Sequence, residues 1–278
     1  MNRRKIVNAV MFSLTGACTF FAVSTLFFIL GYLVYYGGKS ISWSFLTQLP
    51  RPTGELGGGM ANAILGTGQL LLFTSLMGVP IGFLAGVYLA EFGGAAFGSV
   101  IRYATDLLNG VPSIIVGVFV FTVVVVPMRH FSALAGAVAL SVMVIPITVR
   151  STEQFLRAVP DSLREGALAL GASKWRMVAT VVVPAAMKGI ITGTILAIAR
   201  VAGETAPLLF TAFNNRFWSS GLRQPVASLP VMVYTYAISP YEDLHRQAWA
   251  GGLVLLLLML AANVSVRMVL SRNTESRG

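Results

Sequence analysis

With 278 residues, 56% of them hydrophobic and only 11% charged, the chain has less than half the charge of a soluble domain, where about 25% is usual. A mean hydropathy of +0.78 and apolar stretches of about 18 residues or more make lipid the solvent for most of it. The single cysteine, Cys18, excludes an intramolecular disulfide or zinc cluster, and His130 and His245 are too few for a metal site, so metal and redox chemistry drop out. The net charge of +10 would suggest nucleic acid in a soluble protein, but here the basic residues flank apolar segments, as they do when they set topology.

The start, Met1 to Lys5 followed by an apolar run, imitates a secretory signal, and Thr15 to Cys18 come near a lipoprotein cleavage site. The run continues to about Tyr36, which is too long for a signal and suits a spanning helix. Spans are expected near Ile6–Tyr36, Ala61–Ala90, Val111–Pro127, Ala133–Val149, Gly189–Phe213 and Ala248–Leu270. The expected fold is therefore an all-α polytopic membrane protein with six transmembrane helices. Its N-terminus is 1–5, its first helix 6–36, an outer loop 37–60, the core 61–270 with an inner loop at about 151–188, and the C-terminus 271–278. Six spans put both termini on one side, together with Arg3, Arg4, Lys5, Arg102, the basic residues from Arg150 to Lys188, and Arg267, Arg272 and Arg277. The opposite side keeps Lys39, Arg51, Arg129, Arg216, Arg223 and Arg246, so the excess of positive charge predicts cytoplasmic termini.

The second span carries Gly78, Gly82 and Gly86 at four-residue spacing, a small-residue stripe that lets a neighbouring backbone approach; Gly189 and Gly193 repeat it in the fifth. Pro80, Pro112 and Pro146 offer kinks whose freed backbone groups need protein partners. These positions point to packing rather than chemistry.

Between the fourth and fifth spans, Asp161 or Ser162 is suited to cap a short helix that carries Glu165 in its first turns, and Gly171 is suited to end it in the left-handed conformation. Leu163, Ala167, Leu168 and Leu170 would be left facing water, which suits either a partner's groove or the membrane surface.

Glu165, Gly166 and Ala167, then Gly171, then Val181, Val183 and Pro184, resemble the Glu-Ala-Ala loop of bacterial ABC importer permeases at that family's spacing. The family usually has Ala at Gly166, and Ile and Leu at the two valines. The resemblance implies a type I, MetI-like permease bundle in which this loop is the coupling helix, seated in a groove of the ATP-binding subunit through Glu165, Gly166, Ala167 and Gly171. No Gly-x-x-x-x-Gly-Lys-Ser/Thr loop occurs, so the motor is expected on another polypeptide, ATP and magnesium bind there, and this chain is expected to be a non-catalytic subunit without a cofactor.

Arg200 lies about 18 Å along a helix from Lys188, near mid-bilayer, with Glu204 one turn later. Each charge costs about 2.5–3.5 kcal/mol at a helix centre, so both should face protein or a water-filled path. Paired at i and i+4 they form a structural ion pair; unpaired, Arg200 presents its planar fork to an oxyanion while Glu204 tunes that charge. The segment Ala197 to Phe210 resembles the phosphate-specific branch of the family, its A-type permease, as do Asn109 to Gly117, Ser228 to Tyr234 and Ser239 to Asp243. The resemblance implies a phosphate path along Arg200 and Glu204. It also implies a second, similar permease subunit, two copies of an ATPase and a periplasmic phosphate-binding protein as partners. Asn109, Gly110 and Ser113 sit where a helix is expected to begin, either as cap and packing or as amide donors to an anion. Tyr241, Glu242, Asp243 and Arg246 are either a seat for the binding protein or ordinary loop charges. Rival readings are a permease for sulfate, molybdate or an amino acid, or a channel or scaffold independent of ATP.

Overall fold

The computed structural model describes residues 2–52, 54–55, 57–219 and 221–275. Met1 and residues 276–278 of the expected tail, Arg277 among them, lie outside the described residues. The described chain is helical, with one isolated bridge between Pro50 and Gly58. In order the helices are α1 (Asn2–Ser40), α2 (Trp43–Thr47), α3 (Ala61–Val87), α4 (Ala95–Gly110), α5 (Ser113–Val120), α6 (Val126–Met128) and α7 (Ala133–Arg157), then α8 (Asp161–Ala169), α9 (Lys174–Met177), α10 (Val183–Ala202), α11 (Ala206–Thr211), α12 (Leu229–Ala237) and α13 (Glu242–Glu275). Wide π turns at Tyr88–Phe92, Phe121–Val125 and Val178–Val182 extend α3, join α5 to α6 and join α9 to α10.

Five helical stretches are long and apolar enough to cross a membrane: Arg3–Ser40, Ala61–Phe92, Ala133–Arg157, Lys174–Ala202 and Glu242–Ser265. A sixth crossing is available from the pair Ala96–Gly110 and Ser113–Met128, bent by 103°. One expectation needs correction. The fifth span is Lys174–Ala202, not Gly189–Phe213: Lys188 does not start the helix but rides within it on a flexible aliphatic stem, and Pro207, which has no N–H to donate, opens a separate helix after a break at Gly203–Thr205. Before the third span lies a further helix, α4, whose apolar side (Phe97, Val100, Tyr103, Leu107) is exposed.

α3 and α7 run parallel in close contact, as the rising pairs show. Gly78 faces Ser141 and Val144, a Cβ on Gly82 would stand 2.7 Å from Thr148 Cβ, and one on Gly86 would stand 2.5 Å from Thr152 Cβ. The expected small-residue stripe is thus a helix seam. α10 lies antiparallel on another side of α7, with Gly193 against Ser151 and Gly189 against Phe155. Leu70, Leu140, Val144, Ala197, Val201 and Leu208 form the core between these helices. The start of α3 meets α13 where Met60 lies on Gly251, and the end of α1 meets the same helix where Gly37 lies on Trp249 and Leu253. The start of α1 and the far end of α13 therefore point toward the end of the bundle that carries α8.

The tightest approach is at Gly66, where a Cβ would fall 2.0 Å from the Ala227 carbonyl oxygen; at Gly68 it would meet nothing within 4 Å. Gly66→Ala is expected to destabilise the purified chain by about 1–3 kcal/mol. Gly68→Ala should be neutral or stabilising by about 1 kcal/mol or less. Thermal unfolding of both variants in one detergent checks the contrast.

Candidate functional site

α8 follows Pro160, whose fixed φ suits a helix start, and the expected cap at Asp161 or Ser162 is displaced: the cap position is Pro160 and makes no side-chain bond. Asp161 instead accepts from Arg164 at 3.3 Å. The helix ends as expected. Gly171 has φ +82°, its N–H donates to Leu168 O at 2.9 Å, and the Ala172 N–H donates to Ala167 O at 3.2 Å, the paired bonds of a left-handed glycine stop. Ala167 packs down on the cluster of Val87, Leu156, Met177 and Val178. Glu165, Gly166, Leu168, Leu170 and Gly171 are exposed, Leu170 to 91%. The four docking candidates therefore sit on one short helix and its glycine stop, three of them facing out and Ala167 facing in.

Arg200 is in the last turn of α10, which ends at Ala202 with Gly203 after it. Glu204 lies beyond the helix, its N–H donating to Val201 O at 3.1 Å, so the i and i+4 pair expected on one continuous face does not form. No ion pair joins the two among the described residues. Ala197 and Val201 are buried against Leu140 and Val144, about halfway along α7, so the break falls at mid-bundle. Arg200 and Leu196 turn to the exposed side of α10 and Glu204 is half-buried. Asn109 and Gly110 close α4 rather than open a helix, because Pro112 cannot continue it; Ser113 opens α5 and is half-buried. A Cβ on Gly117 would fall 2.7 Å from Pro207 Cα, so the middle of α5 touches the start of α11. Ser113 and Glu204 each lie about one turn along their own chains from that contact. Among the described residues no hydrogen bond or ion pair joins Arg200, Glu204, Asn109 and Ser113 to one another.

At the opposite end from α8, a cavity of about 130 Å³ is lined by Arg51, Glu55, Tyr236, Tyr241 and Asp243. Gln247 there donates to Gly57 O at 3.2 Å and to Asp243 at 3.0 Å, fastening the outer loop to α13, while Arg246 and Glu242 form a long, exposed pair at 3.9 Å.

Residues 78–274 match the model of the binding-protein-dependent transport system inner membrane component. The chain belongs to that family. The component is 44% identical over 97% of its length, and 92% of the relative's, to the Yersinia pestis phosphate transport system permease protein PstA. It is 38% identical over 96% of its length, and 95% of the relative's, to the probable phosphate transport system permease protein PstA of Methanocaldococcus jannaschii. Among solved structures it is similar to a bacterial ABC transporter involved in import of the acidic polysaccharide alginate (TM-score 0.64, 15% identity, 96% of this chain and 97% of that one). The MetNI methionine ABC transporter matches with TM-score 0.58 and 21% identity over 76% of this chain and 97% of that one. The MetI-like bundle is thereby its fold.

Reasoning from sequence missed two ionic clusters of this transport component. Glu153, with its side chain 4% exposed, accepts from Arg102 Nε at 2.6 Å, Arg157 at 2.9 Å and Arg150 at 3.2 Å, and Arg150 also pairs with Asp106. This ties α4 to the end of α7. Arg164, on α8, meets Glu91 in the turn after α3 at 2.8 Å. The spacing of Arg150, Glu153 and Arg157 was a visible helical signal, but Arg102 and Glu91 are isolated charges whose partners only the fold supplies.

Glu153→Gln would leave Arg102, Arg150 and Arg157 facing one another. It is expected to cost about 2–3 kcal/mol, below the 3–5 of a fully buried pair because the arginines reach water. Arg157→Gln, at the pair's exposed side, should cost about 0.5 kcal/mol or less. Thermal unfolding of the two variants decides.

Proposed function

We propose that this chain is the membrane permease subunit of an ATP-driven importer of inorganic phosphate, working in the bacterial inner membrane with both termini in the cytoplasm. The observation that carries the reading is α8: a short helix ended by a left-handed glycine and holding Glu165, Leu168 and Leu170 away from an apolar bundle. Water is a poor surrounding for Leu170, and a groove on a separate ATP-binding subunit, which holds ATP and magnesium, would bury it. The phosphate transport permeases that match over nearly the whole chain support both partner and cargo. The excess of arginine and lysine on the α8 side supports a cytoplasmic position for α8 and both termini.

In this reading the chain does no bond chemistry. Phosphate leaves a periplasmic binding protein seated near Tyr241, Glu242, Asp243 and Arg246, and passes between this subunit and a second, similar permease. Arg200 offers two parallel N–H donors to a tetrahedral oxyanion, a geometry a lysine cannot match. Glu204 moderates that charge and favours release, and Ser113, with the first amides of α5 beyond Asn109, adds donors at a helix start. Closure of the ATPase pair moves α8, and the bundle opens alternately to each side.

Arg200→Gln, at matched membrane abundance and with the ATPase still copurifying, should lower uptake of radiolabelled phosphate about tenfold or more, the worth of a charged hydrogen bond. Sulfate uptake through its own system is the control. Unchanged phosphate uptake would remove Arg200 from the path. Separately, Leu170→Asp should abolish copurification of the ATPase without lowering abundance of the chain; retention would favour a helix lying on the membrane surface.

A further inference from the structure

We infer that Arg164 is the positioning residue through which movement of α8 reaches the membrane helices, an inference that rests on α8 being the ATPase docking helix. The Arg164 side chain is 16% exposed and Glu91 is 5% exposed. One guanidinium nitrogen, Nη2, donates to Glu91 Oε1 at 2.8 Å and to the Leu156 carbonyl at 2.8 Å. The other, Nη1, donates to the Val159 carbonyl and, at 3.3 Å, to Asp161 of its own helix. The Leu156 carbonyl belongs to the last turn of α7, where it also accepts from the Val159 N–H at 3.2 Å, and the Val159 carbonyl lies just beyond the helix end. A single planar fork therefore fastens α8 to the ends of α3 and α7 together.

Little else does so. Among the described residues α8 buries none of its nine, and beside Arg164 its hold on the bundle is the packing of Ala167, the half-exposed Leu163 at a cleft shared with Phe155 and Ala185, and the chain on either side. The bundle itself does not need this clasp, because α3 and α7 are already seamed along Gly78, Gly82 and Gly86. Without Arg164, a push on α8 would be absorbed by rotation about Pro160 and Gly171. With it, α3 and α7 must follow, since a largely buried ion pair cannot be pulled apart without stranding a charge. The exposed Glu165, Leu168 and Leu170 take no part in the clasp, so docking and transmission use different faces of one helix.

The test uses cells carrying the complete transporter with R164Q, R164K, E91Q or the double variant R164Q/E91Q, at matched membrane abundance. Phosphate uptake, copurified ATPase, and stimulation of ATP hydrolysis by the phosphate-loaded binding protein are measured for each. R164Q and E91Q should each lower uptake about tenfold and abolish that stimulation, with ATPase copurification unchanged. R164K, which keeps the charge and loses the fork, should fall between, and the double variant should be no worse than the stronger single. If R164Q does not accumulate, E91Q carries the test alone, because it leaves the bonds to Leu156 and Val159 in place. Normal uptake in the single variants, or losses that multiply in the double, would overturn the inference; loss of ATPase from R164Q would make Arg164 part of the seat and overturn it too. L170D run alongside separates the two ideas: retained ATPase there sinks the docking reading, whatever the Arg164 cycle gives.

Discussion

Close approach along α7 is the constraint on which the other placements depend. In lipid there is no hydrophobic drive for one helix to prefer another, so association rests on van der Waals contact, which small residues maximise. α7 presents Thr148 and Thr152 to the bare Gly82 and Gly86 of α3, and Ser151 to Gly193 of α10. The hydroxyls of Thr148, Ser151 and Thr152 are buried there without hydrogen-bond partners, a cost the tight fit must offset. Because α7 is held on two sides at once, its ends are fixed points, and both ends are used.

The two ends are held by different chemistry. At the start of α7 the fastening is neutral: Ser132, Ala133 and Leu134 donate their N–H groups to Thr211, Gln224 and Leu222 carbonyls at 3.0, 2.8 and 2.9 Å. At the other end it is ionic, with Glu153 gathering arginines from α4 and α7, and Arg164 bridging α8 to Glu91. Backbone bonds of the first kind fix a register. Side-chain ion pairs of the second kind join separate helices, and on the reading proposed above they make α3 and α7 follow α8, because a largely buried pair resists being pulled apart.

Much of this was legible in the sequence, and the rest failed for identifiable reasons. Apolar runs located the first, second, fourth and sixth spans, because burial in lipid imposes its pattern locally. Glycine spacing in α3 announced a seam, and Gly171 announced the end of α8, since a left-handed residue is a local demand. The fifth span was misplaced because Lys188 looks like a boundary to any count of charges, and only the packing of Met177, Val178 and Val182 beneath α8 shows the helix starting earlier. Arg102 of α4, like Arg164, was assigned only to topology: its partner Glu153 lies 51 positions away, and the partner of Arg164 lies 73 away, distances at which sequence spacing says nothing.

The break between α10 and α11 changes the electrostatics expected for Arg200. On an unbroken helix Arg200 and Glu204 would neutralise each other, and an arriving anion would have to displace an internal carboxylate. The break separates them and gives each a helix end of suitable sign: Arg200 sits in the last turn of α10, where unfilled carbonyls favour a cation, and Glu204 precedes the first turn of α11, where free N–H groups favour an anion. Half-charges of a helix end stabilise Arg200 without occupying its fork. On the reading proposed above, that is the condition an oxyanion path requires, because a guanidinium held by dipoles remains available to a passing phosphate whereas one locked to a carboxylate does not.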